Sequence, residues 1–404
     1  MMSLRCVTIC AAVLAAASAA PGAPKANVTT LGGESFAGEL VSLSAQEAVF
    51  TTAAGPRKVP LGDLWQIRLS GYEDLMTVPG RTVVLLHGAD GGKLAAKSLT
   101  VEEGKVRVAT ALFGSVAVDV AGVSAIVAPA ADEHATACVN RVEAMKLPPA
   151  KTDYLVASDK VGRWVPVGGV LKNLQGGKVL FEYRGEDRSV DLATVHALLL
   201  AAVPRSGKPP IGQVIAKDGS VVPFASVTLS GSKISLSADG LQIADAALDG
   251  IAEINFRSER CTYLSDLEPA KVTQTGLFDV AFPFRRDRSA AGGPLRIAET
   301  NYAKGLGLHS RCELTYDLAG KYASFAATAG IDEAGGNRGR ATLRILGDGK
   351  ELLKPTDIAG GAAAISVNLN VAGVKQLTIV VDFGPDNLDV GDYVDLAEAR
   401  VIKP

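Results

Sequence analysis

The sequence predicts an all-β protein in which several small SH3-like or Sm-like β-barrel repeats precede a C-terminal jelly-roll β-sandwich. Glycine is frequent, at 43 of 404 residues, and aromatic residues make up only 5%. Short runs rich in Val, Leu and Ile are interrupted by Gly, Asp and Asn, which is typical of many short strands joined by tight turns. Helix-length periodic segments are rare. The clearest one spans 132–145 and ends before Pro148-Pro149.

Residues 1–20 have the features of a secretory signal peptide. Arg5 supplies a positive charge, residues 7–17 are almost wholly apolar, and Ser18-Ala19-Ala20 provides the small residues that a signal peptidase needs. A buried helix or a membrane anchor is the alternative, but a run of about a dozen apolar residues is too short for a hydrocarbon core of about 30 Å. The sequence therefore predicts an exported protein, periplasmic or secreted, with no transmembrane segment in the mature chain.

Charge and cysteine content narrow the classes of partner. The 41 basic and 43 acidic residues give a net charge of −2, which does not suit binding to nucleic acid or to an anionic membrane. Uncharged partners are expected instead. The cysteines beyond the signal peptide are Cys138, Cys261 and Cys312, and they form no CxxC pair. Cys261 and Cys312 could form a disulfide, and three buried free thiols are the alternative.

A theme of about 45 residues recurs four times before the C-terminal third of the chain. Each copy consists of three strands, a short turn and a last strand, and the copies span 33–67, 83–126, 155–198 and 211–254. Units this small bury little surface alone, so neighbouring units are expected to pack as pairs or as a chain. A propeller is the alternative, but the unequal spacers argue against its radial symmetry.

These patterns divide the chain into five parts. We expect two small β repeats over 27–130, a helical linker over 131–152 and two further repeats over 153–258, after the signal peptide. Longer runs of alternating apolar and polar residues follow, such as 341–346 and 376–381. Regular alternation with turn residues between the runs predicts an antiparallel β-sandwich over 261–404.

Five motifs occur in order within this sandwich segment. They are Tyr263-Leu264-Ser265-Asp266-Leu267, Tyr302-Ala303-Lys304-Gly305-Leu306-Gly307-Leu308-His309-Ser310, Tyr316-Asp317-Leu318-Ala319-Gly320-Lys321-Tyr322, Ala329-Gly330-Ile331-Asp332 and Gly347-Asp348-Gly349-Lys350. Together they resemble the NPCBM (NEW2) family, a carbohydrate-binding module named for its attachment to glycosyl hydrolases of family 98. The resemblance implies a β-sandwich that binds sugars through loops at one end, often with a structural calcium ion, and that has no catalytic activity of its own.

The segment 392–399 departs from the family pattern. The family usually has His and Trp where this chain has Tyr393 and Leu396. A lost Trp ring is worth about 1 to 3 kcal/mol if it contacted a ligand, and a similar amount if it lay in the core. The fold is expected to persist, whereas the affinity for sugar stays open.

The candidate ligand-binding residues are His309, Tyr302, Asn337, Arg338, Arg340 and Tyr393. A neutral imidazole such as that of His309 can both donate a hydrogen bond to a hydroxyl and accept one from it. The alternative is that His309 satisfies buried backbone groups beside Gly305 and Gly307. The loop 335–340 is rich in donors that suit sugar hydroxyls, and an ordinary hairpin is the alternative for it.

Acidic residues recur at every third position from Asp386 to Glu398. Calcium prefers oxygen ligands, so a structural calcium ion held by Asp389, Asp392 and Glu398 is predicted. The spacing does not match the EF-hand, and a solvated acidic turn is the alternative. No other cofactor is expected.

The function predicted from these observations is that of an exported, non-catalytic carbohydrate-binding protein that recognises a neutral glycan. The four repeats would act as a spacer or bind another protein. A second hypothesis, favoured by Tyr393 and Leu396, is a structural or assembly protein that contacts other exported or envelope proteins. The chain has four histidines and neither a GxSxG nor a HExxH motif. Two distant carboxylates would escape such a search, so a glycoside hydrolase is the third hypothesis.

Overall fold

A computed structural model describes residues 24–70, 80–87, 92–133, 135–145, 147, 152–201, 209–277, 280 and 282–404. The predicted signal peptide lies outside these residues. The described chain is almost entirely β, as predicted, and α1 (Ala135–Ala144) lies inside the predicted linker. None of the helices in the described segments has the length and apolar character required to cross a membrane.

Four units with a similar order of elements occupy residues 25–256. Unit 1 contains β1 (Lys25–Thr30), β2 (Ser35–Leu43), β3 (Glu47–Thr52), β4 (Gly55–Pro60) and β5 (Leu64–Leu69). Unit 2 contains β6 (Val83–Leu86), β7 (Lys93–Glu102), β8 (Lys105–Thr110), β9 (Ser115–Asp119) and β10 (Val123–Val127). Unit 3 contains β11 (Asp153–Ser158), β12 (Trp164–Gln175), β13 (Lys178–Tyr183), β14 (Glu186–Asp191) and β15 (Val195–Leu199). Unit 4 contains β16 (Gly212–Ala216), β17 (Val221–Phe224), β18 (Ser226–Ser230), β19 (Lys233–Ala238), β20 (Leu241–Ala247) and β21 (Ile251–Phe256).

The last strand of each unit returns to its first strand. β5 pairs with β1, β10 with β6, β15 with β11 and β21 with β16, all antiparallel. A single 3-10 turn precedes the last strand in every unit, at Leu61–Asp63, Val120–Gly122, Leu192–Thr194 and Leu248–Gly250. The closure of each unit into an SH3-like or Sm-like barrel stays a prediction.

The units associate through these same last strands, the first with the fourth and the second with the third. β5 pairs with β21, which sets Ile67 opposite Ile254, and β10 pairs with β15, which sets Ile126 opposite Leu198. These four side chains belong to one hydrophobic core to which all four units contribute. Burial of that core offsets the small interior of each unit.

The sandwich follows as two packed sheets and a hairpin. Its strands are β22 (Cys261–Tyr263), β23 (Lys271–Gln274), β24 (Arg285–Arg286), β25 (Leu295–Ile297), β26 (Thr300–Tyr302), β27 (Gly305–His309), β28 (Cys312–Asp317), β29 (Ser324–Ile331), β30 (Arg340–Gly347), β31 (Lys350–Ala359), β32 (Ile365–Asn370), β33 (Gln376–Phe383) and β34 (Tyr393–Ile402). The first sheet has the order β24-β27-β34-β29-β32, with β22 also paired to β34, and the second has the order β23-β28-β33-β30-β31. The hairpin β25-β26 forms no strand pairing with either sheet.

Alternation along the strands places the sandwich core between the two sheets. Leu308, Phe325 and Leu396 of the first sheet face Leu314 and Ile379 of the second, and all five are fully buried. Cys312 lies in this core, and Cys138, Cys261 and Cys312 are all free thiols. The disulfide between Cys261 and Cys312 is therefore not formed; the three thiols are free, as in the alternative, but Cys261 is half-buried and only the other two are buried.

The outer face of the first sheet is covered by the hairpin β25-β26 and by unit 1. Ile297 of the hairpin lies over Gly330, where an added Cβ would be 2.3 Å from the Ile297 Cγ2 atom. Only a glycine permits this close approach. Further along the same face, Ala326 and Ile402 pack against Leu31 of unit 1.

Trp65 of unit 1 forms the centre of the joint between the repeats and the sandwich. The Arg400 guanidinium lies 4.1 Å from the centroid of its indole ring, and the Tyr263 ring meets it edge-on at 5.9 Å. The Tyr263 hydroxyl donates to the Glu398 carboxylate at 3.1 Å. Beside this cluster, Arg260 pairs with Asp63 at 2.7 Å. Cation–π contacts strengthen on desolvation. The contacts around Trp65 therefore hold the sandwich in one orientation relative to the repeats.

We expect Trp65→Ala to lower the free energy of unfolding by about 2 to 3 kcal/mol, because it removes a partly buried ring and its cation–π contact. Urea denaturation followed by circular dichroism measures this change. Trp65→Phe keeps an aromatic ring under Arg400 and serves as the matched control, with a smaller loss expected. Equal stability of the Ala variant and the wild type would contradict a joint centred on Trp65.

Candidate functional site

Several connections meet at one end of the sandwich, which is called the loop end below. They include the segments around Leu277 and Ser310, and the loops 332–339, 360–364 and 384–392. The Leu277 amide donates to the Asp389 carboxylate at 3.2 Å. A Cβ on Gly360 would lie 1.9 Å from the Gly336 carbonyl oxygen, so two further loops approach each other closely.

Asp392 holds three of these connections together. It is 1% exposed, and its carboxylate accepts from the Ser310 hydroxyl at 2.6 Å and from the Arg340 amide at 2.8 Å. Burial raises the pKa of this carboxyl, and the two hydrogen bonds oppose the rise. Charge-assisted hydrogen bonds of this length are strong, so Asp392 fixes the shape of the loop end.

An aromatic group lies next to Asp392. The Phe282 and His309 ring centroids are 4.1 Å apart, and the Tyr393 ring meets His309 edge-on at 5.0 Å. His309 is only 2% exposed, and its Nδ1 donates to the Ser310 carbonyl oxygen at 2.8 Å. Phe282 and Tyr393 keep part of their surface exposed. In this arrangement His309 orients the exposed rings and presents little surface of its own to a ligand.

The loop 332–339 carries the polar donors of the loop end. Asn337, Arg338 and Arg340 are all exposed. Added Cβ atoms on Gly335 and Gly339 would be 2.2 Å and 2.1 Å from the Gly391 carbonyl oxygen, so glycine is required for this loop to lie against the start of β34. The Arg340 amide bonds to Asp392, which precedes Tyr393, so these exposed polar side chains and the aromatic group lie at the same end of the sandwich.

Tyr302 does not join this group. It lies on the hairpin β25-β26, opposite Leu295, near the end of β27 that is remote from His309. The structure therefore brings together five of the six predicted ligand-binding residues, and one of them, His309, is buried.

The predicted calcium ligands also do not converge. Asp389 accepts from Leu277, Asp392 accepts from Ser310 and Arg340, and Glu398 accepts from Tyr263 in the joint. Across the described ranges, no group of three or more His, Cys, Asp or Glu side chains is placed to hold a metal ion. The three carboxylates therefore do not fit one shared ion.

The position at which the family usually has Trp lies in the core. Leu396 is 0% exposed and packs between the two sheets. Replacing the larger ring by leucine therefore affects packing, and the exposed surface of the loop end does not include this side chain. Leu396 is therefore a core residue, and it does not take the place of a ligand-contacting ring.

A pair of buried carboxylates escaped the sequence-based prediction. Asp395 is 0% exposed, Asp332 is 3% exposed, and both accept from the Arg296 amide, at 2.8 and 3.2 Å. Burial, together with the adjacent Asp332, raises the pKa of Asp395 to about 9. The Asp395 carboxyl is therefore protonated at neutral pH and forms a hydrogen bond with the Asp332 side chain. An aspartate inside the apolar alternation of the last strand was the available signal.

The two packed sheets, with open and donor-rich loops at one end, define this part of the chain as a β-sandwich module. Within that class, the model of the family described as NPCBM/NEW2 domain matches residues 260–402. This segment of the chain is therefore an NPCBM/NEW2 domain, as its motifs predicted. A relative from Renibacterium salmoninarum, named "Putative endo-alpha-N-acetylgalactosaminidase", is 30% identical over 143 residues. The match covers 35% of this chain and 9% of the relative, so the chain spans less than a tenth of that protein's length.

Three solved structures are also similar to parts of the chain. The CBM51 module from Clostridium perfringens GH95 in complex with methyl-galactose is 24% identical, with 35% of this chain and 99% of that chain covered and a TM-score of 0.32. CBM51-2 in complex with GlcNAc and INT domains from C. perfringens ZmpB is 23% identical, with coverages of 45% and 40% and a TM-score of 0.32. The tandem CBM51 modules of Sp3GH98 from Streptococcus pneumoniae are 13% identical, with coverages of 80% and 88% and a TM-score of 0.31.

We predict that the wild-type protein loses stability as pH rises from about 5 towards 9, because a pKa raised on folding favours the protonated state. The stabilisation is complete below the unfolded pKa of about 4 and disappears as pH passes the folded value. Asp395→Asn mimics the protonated carboxyl and should flatten this dependence, as measured by thermal unfolding at several pH values. Asp249→Asn, at an exposed aspartate, is the control. A stability loss in Asp395→Asn at every pH would argue against a protonated Asp395 carboxyl in the folded protein.

Proposed function

We propose that this chain is an exported, non-catalytic carbohydrate-binding protein whose sandwich recognises a neutral glycan at the loop end. The observation that carries the proposal is the match of residues 260–402 to the NPCBM/NEW2 domain, on a sandwich whose loops converge at one end. Export rests on the signal-peptide features of residues 1–20.

The chemistry of the loop end supports a sugar ligand. Phe282 and Tyr393 offer exposed parts of aromatic rings, on which the C–H face of a sugar can pack. Asn337, Arg338 and Arg340 add exposed donors at the same end of the sandwich, and the Asn337 amide can also accept. A net charge of −2 on the whole chain favours a neutral glycan over an anionic one.

The chain has no catalytic activity of its own under this proposal. The Renibacterium relative bears the name of a glycan-cleaving enzyme, but the matched segment is 9% of that protein. The matched segment in this chain is the binding module, and a fold or module alone does not transfer an activity. Hydrolysis of chromogenic glycosides by the pure protein would overturn this part of the proposal.

Protein contact through the sandwich is the second candidate function. The exposed side chains of Val280, Leu388 and Val390, which are 57%, 47% and 48% exposed, are the observation that favours it. Exposed aliphatic residues of this kind can mark an interaction site. A blank glycan screen together with self-association in light scattering would favour this candidate.

We expect Arg340→Ala combined with Tyr393→Ala to weaken glycan binding about tenfold or more, because a stacking ring and a charged donor are both lost. A glycan-array screen of the full chain, followed by titration calorimetry with the best hit, measures this change. Lys321→Ala is the matched control, because this exposed lysine lies at the opposite end of the sandwich.

The screen is run both with calcium and with EDTA. Equal binding is expected in the two conditions, because Asp389, Asp392 and Glu398 do not converge on one ion. Full binding by the double variant would contradict the loop end as the site, and a screen without hits from the folded protein would contradict glycan recognition.

A further inference from the structure

The two pairs of units place different chemistry on the outer faces of their shared sheets. In the pair of units 2 and 3, Ala125 lies opposite Leu199 and Val127 opposite Ala197, all on the outer face. Helix α1 covers these residues, and Cys138 of the helix packs among them in a separate apolar cluster. The outer face of this pair is therefore closed by its own helix.

The corresponding positions in the pair of units 1 and 4 are polar. Arg68 lies opposite Glu253 and Gln66 opposite Asn255, flanking the inward pair of isoleucines just as the apolar residues do in the other pair. Arg68 donates to Glu253 at 3.0 Å, and Gln66 donates to Asn255 at 3.0 Å. These residues form a polar face without net charge, and α1 lies on the other pair.

The polar face continues into a cleft on unit 1. The cleft has a volume of about 280 Å³, close to the lower end of the roughly 300 to 1,000 Å³ typical of small-molecule sites. Its lining consists of Asn27, Val28, Thr29, Ser35, Phe36, Gln66 and Arg68. Asn27 and Ser35 are exposed. The side chains around the cleft thus supply amides, hydroxyls and one guanidinium.

Phe36 lies beneath this cleft with its ring on the inward face of the sheet, because it is paired with the buried Val28 and packs against the core of the repeats. The Arg57 guanidinium lies 3.9 Å from its ring centroid, and the Phe50 ring meets it edge-on at 5.4 Å. Glu34 accepts from both terminal nitrogens of Arg57, at 3.0 and 2.7 Å, which fixes the guanidinium. The strand beneath the cleft is therefore held in place before a ligand binds, and the polar side chains of the outer face are the groups that a ligand would contact.

We propose that the cleft and polar face of units 1 and 4 form a second saccharide site, for a neutral oligosaccharide or polysaccharide segment. Amide and hydroxyl side chains match sugar hydroxyls as both donors and acceptors. The pairing of Arg68 with Glu253 removes the net charge that an anionic ligand would need. The site lies on the repeats and is separate from the loop end, so it assigns a binding role to a part of the chain that the NPCBM/NEW2 domain does not cover.

Affinity electrophoresis of the full chain in gels that contain mixed-linkage β-glucan, galactomannan or xylan tests this proposal. We expect at least one polysaccharide to retard the wild type, and Asn27→Ala combined with Ser35→Ala to weaken that binding about tenfold, since two hydrogen-bonding side chains are removed. Both residues are exposed, so the fold tolerates the change. Thr228→Ala combined with Gln242→Ala, two exposed polar positions of unit 4, is the matched control.

The loop-end variant Arg340→Ala/Tyr393→Ala separates the two sites. Retardation that persists in this variant and is lost in the Asn27/Ser35 variant supports the second site, whatever the outcome for the loop end. Equal retardation of the Asn27/Ser35 variant and the wild type overturns it. The absence of retardation in all three gels also overturns it.

Discussion

The double pairing of each unit's last strand is the interaction on which the architecture depends. Strands such as β5 and β10 form one ladder with the first strand of their own unit and another with the last strand of a second unit. Inward residues on these strands, such as Ile67 and Ile126, then belong to one core to which all four units contribute. Units of this size bury too little surface alone, and a shared core removes that limit.

The sandwich depends on the repeats in a comparable way, because one face of its first sheet is completed by unit 1. Arg400 and Glu398 are polar residues on this outer face, and they contact Trp65 and Tyr263 at the joint. Burial raises the pKa of Glu398, and the Tyr263 hydrogen bond opposes this rise. At the loop end, a single buried carboxylate, Asp392, connects the loops that carry the exposed rings and donors.

The sequence was informative where periodicity and motif order carry the signal, and silent where contacts join distant segments. Alternation predicted the β class and the sandwich, and the ordered motifs from Tyr263 to Lys350 predicted the NPCBM/NEW2 domain. The pairing of unit 1 with unit 4 has no local signature, because it joins strands that lie far apart in the sequence. His309 illustrates the same limit: its residue type suits a ligand contact, but its burial is set by Phe282 and Tyr393, which lie on other segments of the chain. The predicted calcium ligands were likewise separated, because Asp389 and Asp392 lie in the loop before the last strand and Glu398 lies within it.

The Trp65 joint has a consequence for how the loop end explores its surroundings. A binding module on a flexible linker searches a volume set by the length of that linker, and each attachment must then immobilise the linker. Here the direction of the loop end relative to the repeats is part of the fold itself. The loop end can therefore search a smaller volume than a module on a flexible linker. In return, a contact made by the repeats sets the position of the sandwich, and the reverse, without further loss of conformational entropy.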